Sequence, residues 1–243
     1  MGTLTLVRHG QASYGAADYD RLSERGILQA KALGRRWAET RLAADALVSG
    51  PMRRQVDTLT LAREAAVAAG HALPEPVVMP ELAEYPAFEL LARFLPRFVQ
   101  ERAELKGLLD GGAVAAERLA LHDRALWMVI DAWTREELDC GDIETFGAFV
   151  ARVRAGLERL MAAHPGRGRR IVAVTSGGPI GVACKLSLAI DALPTLHLWR
   201  MVRNASVTEL LWRSGDFAWR PGDLSLLGFN HVDHLPTDLV TFK

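Results

Sequence analysis

Short apolar segments alternate with helical patterns along much of the chain. The segments "TLTLV" at 3–7, "DALVSGP" at 45–51 and "IVAVT" at 171–175 are short and β-rich, and a helical pattern follows each of them. Strands that alternate with helices in this way form a sheet with helices on both faces. The alternation therefore predicts an α/β fold.

Cap residues mark the ends of several predicted helices. Ser23 precedes one amphipathic pattern, Thr145 precedes the clearest one, "TFGAFVARVRAGLERLM", and Gly70 closes a third that begins near Arg54. "ASVTELLWR" and "GDLSLLGFN" predict two further strands near the end of the sequence. The predicted strands therefore lie in the first and last parts of the sequence.

The middle of the chain has a different character. From about Phe88 to Leu138 the pattern is mostly helical and carries no strand signal, with predicted breaks at Pro96 and at the "DGG" of 110–112. We interpret approximately 85–140 as a helical insertion within a single domain that spans 1–243.

Charge and cysteine content restrict the possible partners. The 29 basic and 29 acidic side chains cancel, which argues against general binding to nucleic acid or to an anionic membrane. The two cysteines, Cys140 and Cys184, have no metal-ligand or disulfide spacing. The N-terminus enters a strand directly, and no apolar span of about 20 residues occurs. We expect a cytoplasmic protein with a local anion site.

Polar residues follow the predicted strands where each strand ends. Arg8 and His9 follow the first strand, Ser49 ends the second, and Ser176 follows 171–175. In α/β sheets, ligands bind outside the carboxyl ends of the strands. A lone histidine is more often structural, but the adjacent arginine indicates an anion. Gly10 removes side-chain bulk where another group must approach the backbone.

Two further segments contain candidate anion-binding groups. Arg54 opens a helix, where the helix dipole disfavours a cation, and an anionic partner would explain its position; Arg53 is interpreted as solvated. In "VTSGGPIG", Ser176 and Gly177 lie between a strand and a helix, where small residues leave backbone N–H groups free to face an oxyanion. The segment lacks the lysine of a nucleotide-binding P-loop.

Five motifs occur together and in a characteristic order. They are "LVRHGQ", "LSERGILQAKALG", "SGPMRRQVDT" (similar to S-x-P-x-x-R-A-x-Q-T), "LAE" at 82–84 and "VTSGGPIG". In this combination the chain resembles the histidine phosphatase superfamily, also called the phosphoglycerate-mutase-like family. The resemblance implies a three-layer α/β/α sandwich with a mostly parallel central sheet. It also implies a metal-independent phosphomonoester hydrolase that needs no cofactor and acts on a small phosphorylated substrate.

The resemblance also implies a role for each candidate residue. His9 would be the nucleophile that forms a phosphohistidine, and Arg8 and Arg54 would clamp the phosphoryl oxygens. Glu84, which by itself is most simply a surface carboxylate, would protonate the leaving oxygen and then activate water. Ser176 and Gly177 would bind the phosphoryl group.

The sequence departs from the family pattern at its second histidine. Ser176 stands in that position, where its hydroxyl either donates one uncharged hydrogen bond to phosphate or caps the helix that starts at Gly177. A replacement imidazole from His231 or His234 is a further hypothesis, which rests only on two histidines near the last strand.

One departure favours a phosphatase over a mutase, because Glu84 is followed by Tyr-Pro-Ala instead of the glycine-bearing pattern of the mutases. A separate departure lies in the loop after the first strand, where Gly15 stands at a position that is asparagine in mutases and in many phosphatases of the family. A mutase and a non-catalytic phosphate-ester-binding protein remain as alternatives.

Overall fold

A computed structural model describes residues 1–13, 19–108, 115–213, 219–220 and 222–242. Gly15 and the predicted break at 110–112 lie outside these residues. Within them, no helix is both long enough and apolar enough to cross a membrane.

The sheet has six strands: β1 (Gly2–Arg8), β2 (Ala46–Ser49), β3 (Pro76–Val78), β4 (Arg170–Thr175), β5 (Val207–Trp212) and β6 (Leu224–His231). Their order is β3-β2-β4-β1-β5-β6. The pairs β3–β2, β2–β4 and β4–β1 are parallel, whereas β5 runs antiparallel to both β1 and β6. The predicted α/β fold with a mostly parallel central sheet is confirmed.

Seven α-helices occur in the described residues: α1 (Glu24–Glu39), α2 (Arg53–Ala68), α3 (Ala87–Glu101), α4 (Ala115–Thr134), α5 (Phe146–Ala162), α6 (Gly177–Leu188) and α7 (Ala192–Met201). Short 3₁₀ helices lie at Pro80–Leu82, Ala103–Leu108 and Thr237–Leu239. The predicted caps are confirmed: Ser23 Oγ accepts from the Gly26 N–H at 3.1 Å, and Thr145 Oγ1 accepts from the Ala148 N–H at 3.2 Å. Helix α7 was not predicted as a separate element.

The prediction that Pro96 breaks the helical pattern was wrong. Helix α3 continues through Pro96, although a proline removes one backbone N–H from the helix interior. Leu90, Phe94 and Phe98 are buried along one face of α3 on both sides of the proline. Burial of this apolar face offsets the lost hydrogen bond, so the helix continues to Glu101.

Apolar side chains from the sheet and from the first two helices form one buried cluster. Val7 of β1, Leu47 of β2 and Val174 of β4 pack with side chains of α1 and α2, among them Trp37 and Leu59. This buried cluster therefore packs against β1, β2 and β4 directly before their carboxyl ends. The loops that leave β1, β2 and β4 start from fixed positions.

The chain separates into two compact units. The first comprises Met1–Glu84 and Arg152–Lys243 and contains the whole sheet, and the second comprises Tyr85–Ala151. The second unit has its own aromatic cluster, in which the ring of Trp133 lies 5.5 Å from that of Tyr85 and 5.8 Å from that of Phe149. The predicted insertion at 85–140 falls within this second unit.

Candidate active site

The carboxyl ends of three neighbouring parallel strands meet at one edge of the sheet. Arg8 at the end of β1 pairs with Thr175 at the end of β4, and Ser49 at the end of β2 pairs with Val174. The His9 N–H continues this pattern and donates to the Thr175 carbonyl at 2.8 Å. The sheet thus brings together the loops that carry His9, Arg54 and Ser176.

The backbone around His9 is packed closely against α1. A side chain at Gly10 would place its Cβ 2.6 Å from the Gly26 carbonyl oxygen, and the Gly10 N–H donates to Thr58 Oγ1 at 3.0 Å. Gly10 therefore permits a close approach, as the sequence predicted, and the approaching group is the first turn of α1. These contacts hold the strand end rigidly behind the imidazole.

The imidazole of His9 is buried, and its two ring nitrogens have different partners. Nδ1 lies 2.7 Å from the Gly10 carbonyl oxygen, whereas Nε2 lies 3.1 Å from Arg54 Nε. A carbonyl only accepts and a guanidinium only donates, so the hydrogen bonds assign the ring proton to Nδ1. Nε2 then carries the lone pair, which faces the arginine.

The surroundings of His9 favour its neutral form. Burial lowers its pKa well below the ordinary value of 6.5, and the positive charges of Arg54 and Arg8 lower it further. The hydrogen bond to Gly10 acts in the opposite direction and is outweighed. The His9 imidazole is therefore neutral at neutral pH, and the lone pair of Nε2 accepts the hydrogen bond from Arg54.

Arg54 has the anionic partner that its position at the start of α2 led us to expect, and that partner is Asp20. Arg54 is 4% exposed, and its Nη1 donates to Asp20 Oδ1 at 2.6 Å. The other carboxylate oxygen, Oδ2, accepts from the backbone N–H of Arg53 at 2.8 Å. One carboxylate thus uses both the guanidinium and the N-terminus of α2, the two features that suit a phosphoryl group.

Arg8 points toward the C-terminal segment. Its Nη1 donates to the carbonyl oxygens of Val202 and Phe242, the latter at 2.9 Å. The backbone of the same region also contacts the site, because the Ala205 N–H donates to the His9 carbonyl at 3.2 Å. Arg8 contributes positive charge to His9, and its guanidinium also bonds to the backbone of the C-terminal segment. Its role as a phosphoryl clamp stays a prediction.

Glu84 and Gly177 lie at the start of α6. The Gly178 N–H donates to Glu84 Oε1 at 3.1 Å, so the carboxylate faces the positive end of this helix. Gly177 is buried as the first residue of α6, and a Cβ added there would meet only ordinary contacts, at 3.5 Å from the Trp199 carbonyl oxygen. The predicted phosphoryl contact of Gly177 remains a prediction.

Arg152 and Arg159 of α5 hold the segment before Glu84. Arg152 Nη1 donates to the carbonyl oxygens of Glu81 at 2.9 Å and of Ala83 at 3.1 Å. The Glu81 carboxylate pairs with Arg159 Nη2 at 2.6 Å. Glu81 is therefore occupied by a structural ion pair, while Glu84 is the carboxylate that faces α6.

Ser176 is fully buried and occupies the N-cap position of α6. Its side chain makes no capping hydrogen bond, so the alternative that Ser176 serves as a side-chain cap is wrong. Its Oγ instead accepts a hydrogen bond from Gln55 Nε2 at 2.7 Å. The hydroxyl therefore bonds to a side chain of α2 instead of the first turn of its own helix.

The two C-terminal histidines are directed elsewhere. The His231 side chain is about half exposed and lies 4.0 Å from the Asp233 carboxylate, and His234 bonds to the backbone of Ala205. Across the described ranges, neither ring has a hydrogen bond to His9, Arg54, Glu84 or Ser176, which leaves the replacement-imidazole hypothesis without support. In the same residues, no group of three His, Cys, Asp or Glu side chains is arranged to hold a metal ion.

Sequence reasoning missed three polar residues of the site: Asp20, Gln55 and Thr58. Asp20 lies 34 positions from its partner Arg54, and no local pattern marks it. Gln55 did carry a signal, because it stands where S-x-P-x-x-R-A-x-Q-T has alanine. Thr58 matches the threonine of that pattern, and its Oγ1 donates to the Arg54 carbonyl at 2.6 Å.

Comparison with solved structures supports the fold. A protein described as mycobacterial hydrolase 2 is 21% identical, with a TM-score of 0.62 over 98% of this chain and 94% of the other. A mycobacterial glucosyl-3-phosphoglycerate phosphatase is 23% identical, with a TM-score of 0.59 over 94% and 98%. A mutant phosphoserine phosphatase from Entamoeba histolytica, in complex with phosphoserine, is 18% identical, with a TM-score of 0.58 over 97% and 100%.

Comparison at the level of sequence identifies the family. A search of curated proteins found no match. The family model described as the histidine phosphatase superfamily (branch 1) matches residues 4–93 and 109–221, which include every candidate site residue. The chain therefore belongs to the histidine phosphatase superfamily, as its motifs had indicated.

Proposed function

We propose that the protein hydrolyses small phosphomonoesters through a phosphohistidine on His9 Nε2. The observation that carries this proposal is the pairing of the His9 nitrogens: Nδ1 bonds the Gly10 carbonyl and Nε2 accepts from Arg54 at 3.1 Å. The lone pair of Nε2 therefore faces the guanidinium, so a phosphoryl group that displaces the hydrogen bond between His9 and Arg54 meets a nucleophile and a cation together. Membership of the histidine phosphatase superfamily supports the same chemistry.

The first step transfers the phosphoryl group to the enzyme. His9 Nε2 forms a bond to phosphorus while the bond between phosphorus and the ester oxygen breaks. Glu84, in its protonated form, gives its proton to the departing alkoxide, which leaves as an alcohol. Arg54 stabilises the charge on the phosphoryl oxygens, and Arg8 adds positive charge.

The second step returns the enzyme to its starting state. Glu84, now a carboxylate, takes a proton from water as the water oxygen attacks phosphorus. The bond between phosphorus and Nε2 breaks, inorganic phosphate leaves, and His9 is neutral again. Positioning of the carboxylate depends on the Gly178 N–H at 3.1 Å and on the Arg152 contacts that hold the preceding residues.

The proposed substrate class is a small phosphorylated metabolite. Two of the structural neighbours are named as phosphatases of glucosyl-3-phosphoglycerate and of phosphoserine, and both of those substrates are small phosphomonoesters that carry a carboxylate. Equal numbers of basic and acidic side chains give this chain no general attraction to nucleic acid.

The test is to trap the phosphoenzyme. The purified protein is mixed with an aryl phosphate without added metal, quenched under alkaline conditions that preserve phosphohistidine, and digested for mass spectrometry. We expect phosphate on His9 together with steady release of product. His9→Ala should abolish both, and His197→Ala, at an exposed position on α7, should change neither.

Two other outcomes would replace the proposal. Phosphate that stays on His9 until an alcohol acceptor is added would identify a mutase. Absence of phosphoenzyme and of turnover with several esters, combined with calorimetric binding of inorganic phosphate, would identify a non-catalytic binding protein.

A further inference from the structure

Gln55 connects three segments that carry candidate site residues. It follows Arg54 in the first turn of α2 and is fully buried. Its Nε2 donates to Ser176 Oγ at 2.7 Å and to the Leu82 carbonyl oxygen at 3.3 Å, two residues before Glu84. Gly50 makes room for this side chain, because a Cβ there would lie 2.2 Å from Gln55 Oε1.

The orientation of the Gln55 amide is fixed by groups that have only one hydrogen-bonding role. Oε1 accepts from the backbone N–H of Met52 at 3.1 Å, and an N–H only donates. On the other side, Nε2 faces the Leu82 carbonyl, which only accepts. Reversing the amide would break both bonds, so the NH₂ group must face Ser176.

This orientation fixes the polarity of the Ser176 hydroxyl. Because Gln55 Nε2 donates to it, Oγ is the acceptor in their 2.7 Å bond, and a hydroxyl that accepts still has a hydrogen to donate. Within the part of the chain that the structure describes, no group accepts that hydrogen. Ser176 lies at the start of α6, where the Gly178 N–H also faces Glu84.

We propose that Gln55 is a positioning residue that makes the Ser176 hydroxyl a dedicated donor to the phosphoryl group of the substrate. Gln55 acts only through Ser176 and touches no reacting atom. The proposal rests on the phosphoryl chemistry proposed above. In this arrangement the uncharged Ser176 hydroxyl supplies a hydrogen-bond donor to the phosphoryl group, where a histidine would otherwise supply one.

The substitution Gln55→Glu tests the proposal because it keeps the shape and reverses the polarity. One carboxylate oxygen still accepts from the Met52 N–H, so the start of α2 is preserved. Once the new side chain is ionised, its other oxygen only accepts, so the Ser176 hydroxyl must turn and donate to it. Because burial raises the pKa of a carboxyl group and a protonated carboxyl still donates, kcat/KM is measured at several pH values up to the alkaline range. We expect kcat/KM for an aryl phosphate to fall about a hundred- to a thousandfold, as for loss of one transition-state donor.

A double-mutant cycle separates this effect from the added negative charge. Ser176→Ala alone should also lower kcat/KM about a hundred- to a thousandfold, and Gln55→Glu should then cost less than about threefold in the Ser176→Ala background. If the charge itself repels the phosphoryl group, the losses multiply, and the proposal is overturned. Gln29→Glu on α1 is the matched control, because Gln29 is also fully buried and has a fixed amide. The fold losses in kcat/KM that Gln29→Glu and Ser176→Ala cause separately should multiply in the double variant.

Calorimetric binding of inorganic phosphate keeps the two proposals distinguishable. If the wild type neither forms phosphohistidine nor turns over, the proposed function fails, and the same cycle is measured on phosphate affinity. If the wild type hydrolyses esters and Ser176→Ala is as active as the wild type, the role of Gln55 fails while the phosphatase stands. Thermal denaturation of each variant identifies losses that come from unfolding.

Discussion

Asp20 binds the two groups that an incoming phosphoryl group would use, the Arg54 guanidinium and a backbone N–H at the start of α2. Its carboxylate accepts from Arg54 Nη1 at 2.6 Å and from the Arg53 N–H at 2.8 Å. A phosphate that binds Arg54 at the start of α2 must compete with this carboxylate. The competition occurs beside a buried guanidinium, where a unit charge has a larger effect than in water.

Neutralising Asp20 should therefore strengthen phosphate binding. We expect Asp20→Asn to lower the Kd for inorganic phosphate about three- to tenfold, which corresponds to about 1 kcal/mol. The measurement is isothermal calorimetry at fixed ionic strength. Asp57→Asn is the matched control, because Asp57 has similar exposure to Asp20, lies on the same helix as Arg54 and pairs with Arg53 instead of Arg54. Weaker binding in Asp20→Asn alone would mean that Asp20 holds Arg54 in place.

At this scale the sequence predicted His9 and Arg54 and missed the polar residues whose roles depend on tertiary contacts, including two that lie within a motif. His9 and Arg54 lie in recognisable motifs, and the structure brings their side chains within 3.1 Å. Asp20 and Gln55 acquire their places from partners 34 and 121 positions away. Nothing in a local pattern encodes such a distance, so hydrogen-bond partners of this kind become visible only in the folded chain.

At the scale of elements, α1 and α2 meet through a glycine. Gly34 is buried on α1, and an added Cβ would lie 2.0 Å from the Ala62 carbonyl oxygen and 2.8 Å from the Ala65 Cβ. Helix propensity favours alanine over glycine by about 1 kcal/mol at an interior position. The close contact opposes this preference for alanine, because backbone atoms of α2 would have to move to make room for the added methyl group.

We expect the contact to outweigh the propensity in Gly34→Ala. Overpacking of this kind costs about 1–3 kcal/mol of unfolding free energy, so the net effect is destabilising. Urea denaturation followed by circular dichroism measures it. Lys31→Ala, an exposed position on the same helix, should stay within about 0.5 kcal/mol of the wild type. A Gly34→Ala variant more stable than the wild type would contradict the close contact of α1 and α2.

Element boundaries followed from local signals where those signals agreed with the packing. Ser23 and Thr145 cap their helices as predicted, because a cap is a short-range contact between a side chain and the next turn. The break at Pro96 was not found, because burial of Leu90, Phe94 and Phe98 depends on partners that the local sequence does not reveal. Helix α7 was missed for a related reason: it follows α6 after a short turn, and both segments are apolar.

At the scale of the whole molecule, the buried His9 and the partly buried His234 connect folding to pH. Burial lowers the pKa of His9 well below 6.5, and burial lowers the pKa of His234 to about 4. Asp233 partly offsets the shift of His234, and Arg36 adds to it. His234 Nε2 is buried with no hydrogen-bond partner in the described residues, so a proton there would bring an unsatisfied charge into the fold.

The sign of the effect follows from proton binding in the two states. Below pH 6.5 the unfolded chain protonates both imidazoles while the folded chain keeps them neutral, so the unfolded state binds more protons. The stability these groups contribute is complete above about pH 6.5. It declines as the pH falls, and for His234 the decline ends near pH 4.

His234→Asn should therefore reduce the dependence of stability on pH. For a folded pKa of about 4 and an ordinary value of 6.5, linkage predicts that His234 accounts for about 2 kcal/mol of the stability lost between pH 7 and pH 5. Urea denaturation of the wild type and the variant at both pH values gives this difference directly. Contributions from the unit at Tyr85–Ala151 are common to both proteins and cancel. An identical loss in the two proteins would mean that His234 is protonated as readily in the folded chain as in the unfolded one, and that its burial does not oppose the charge.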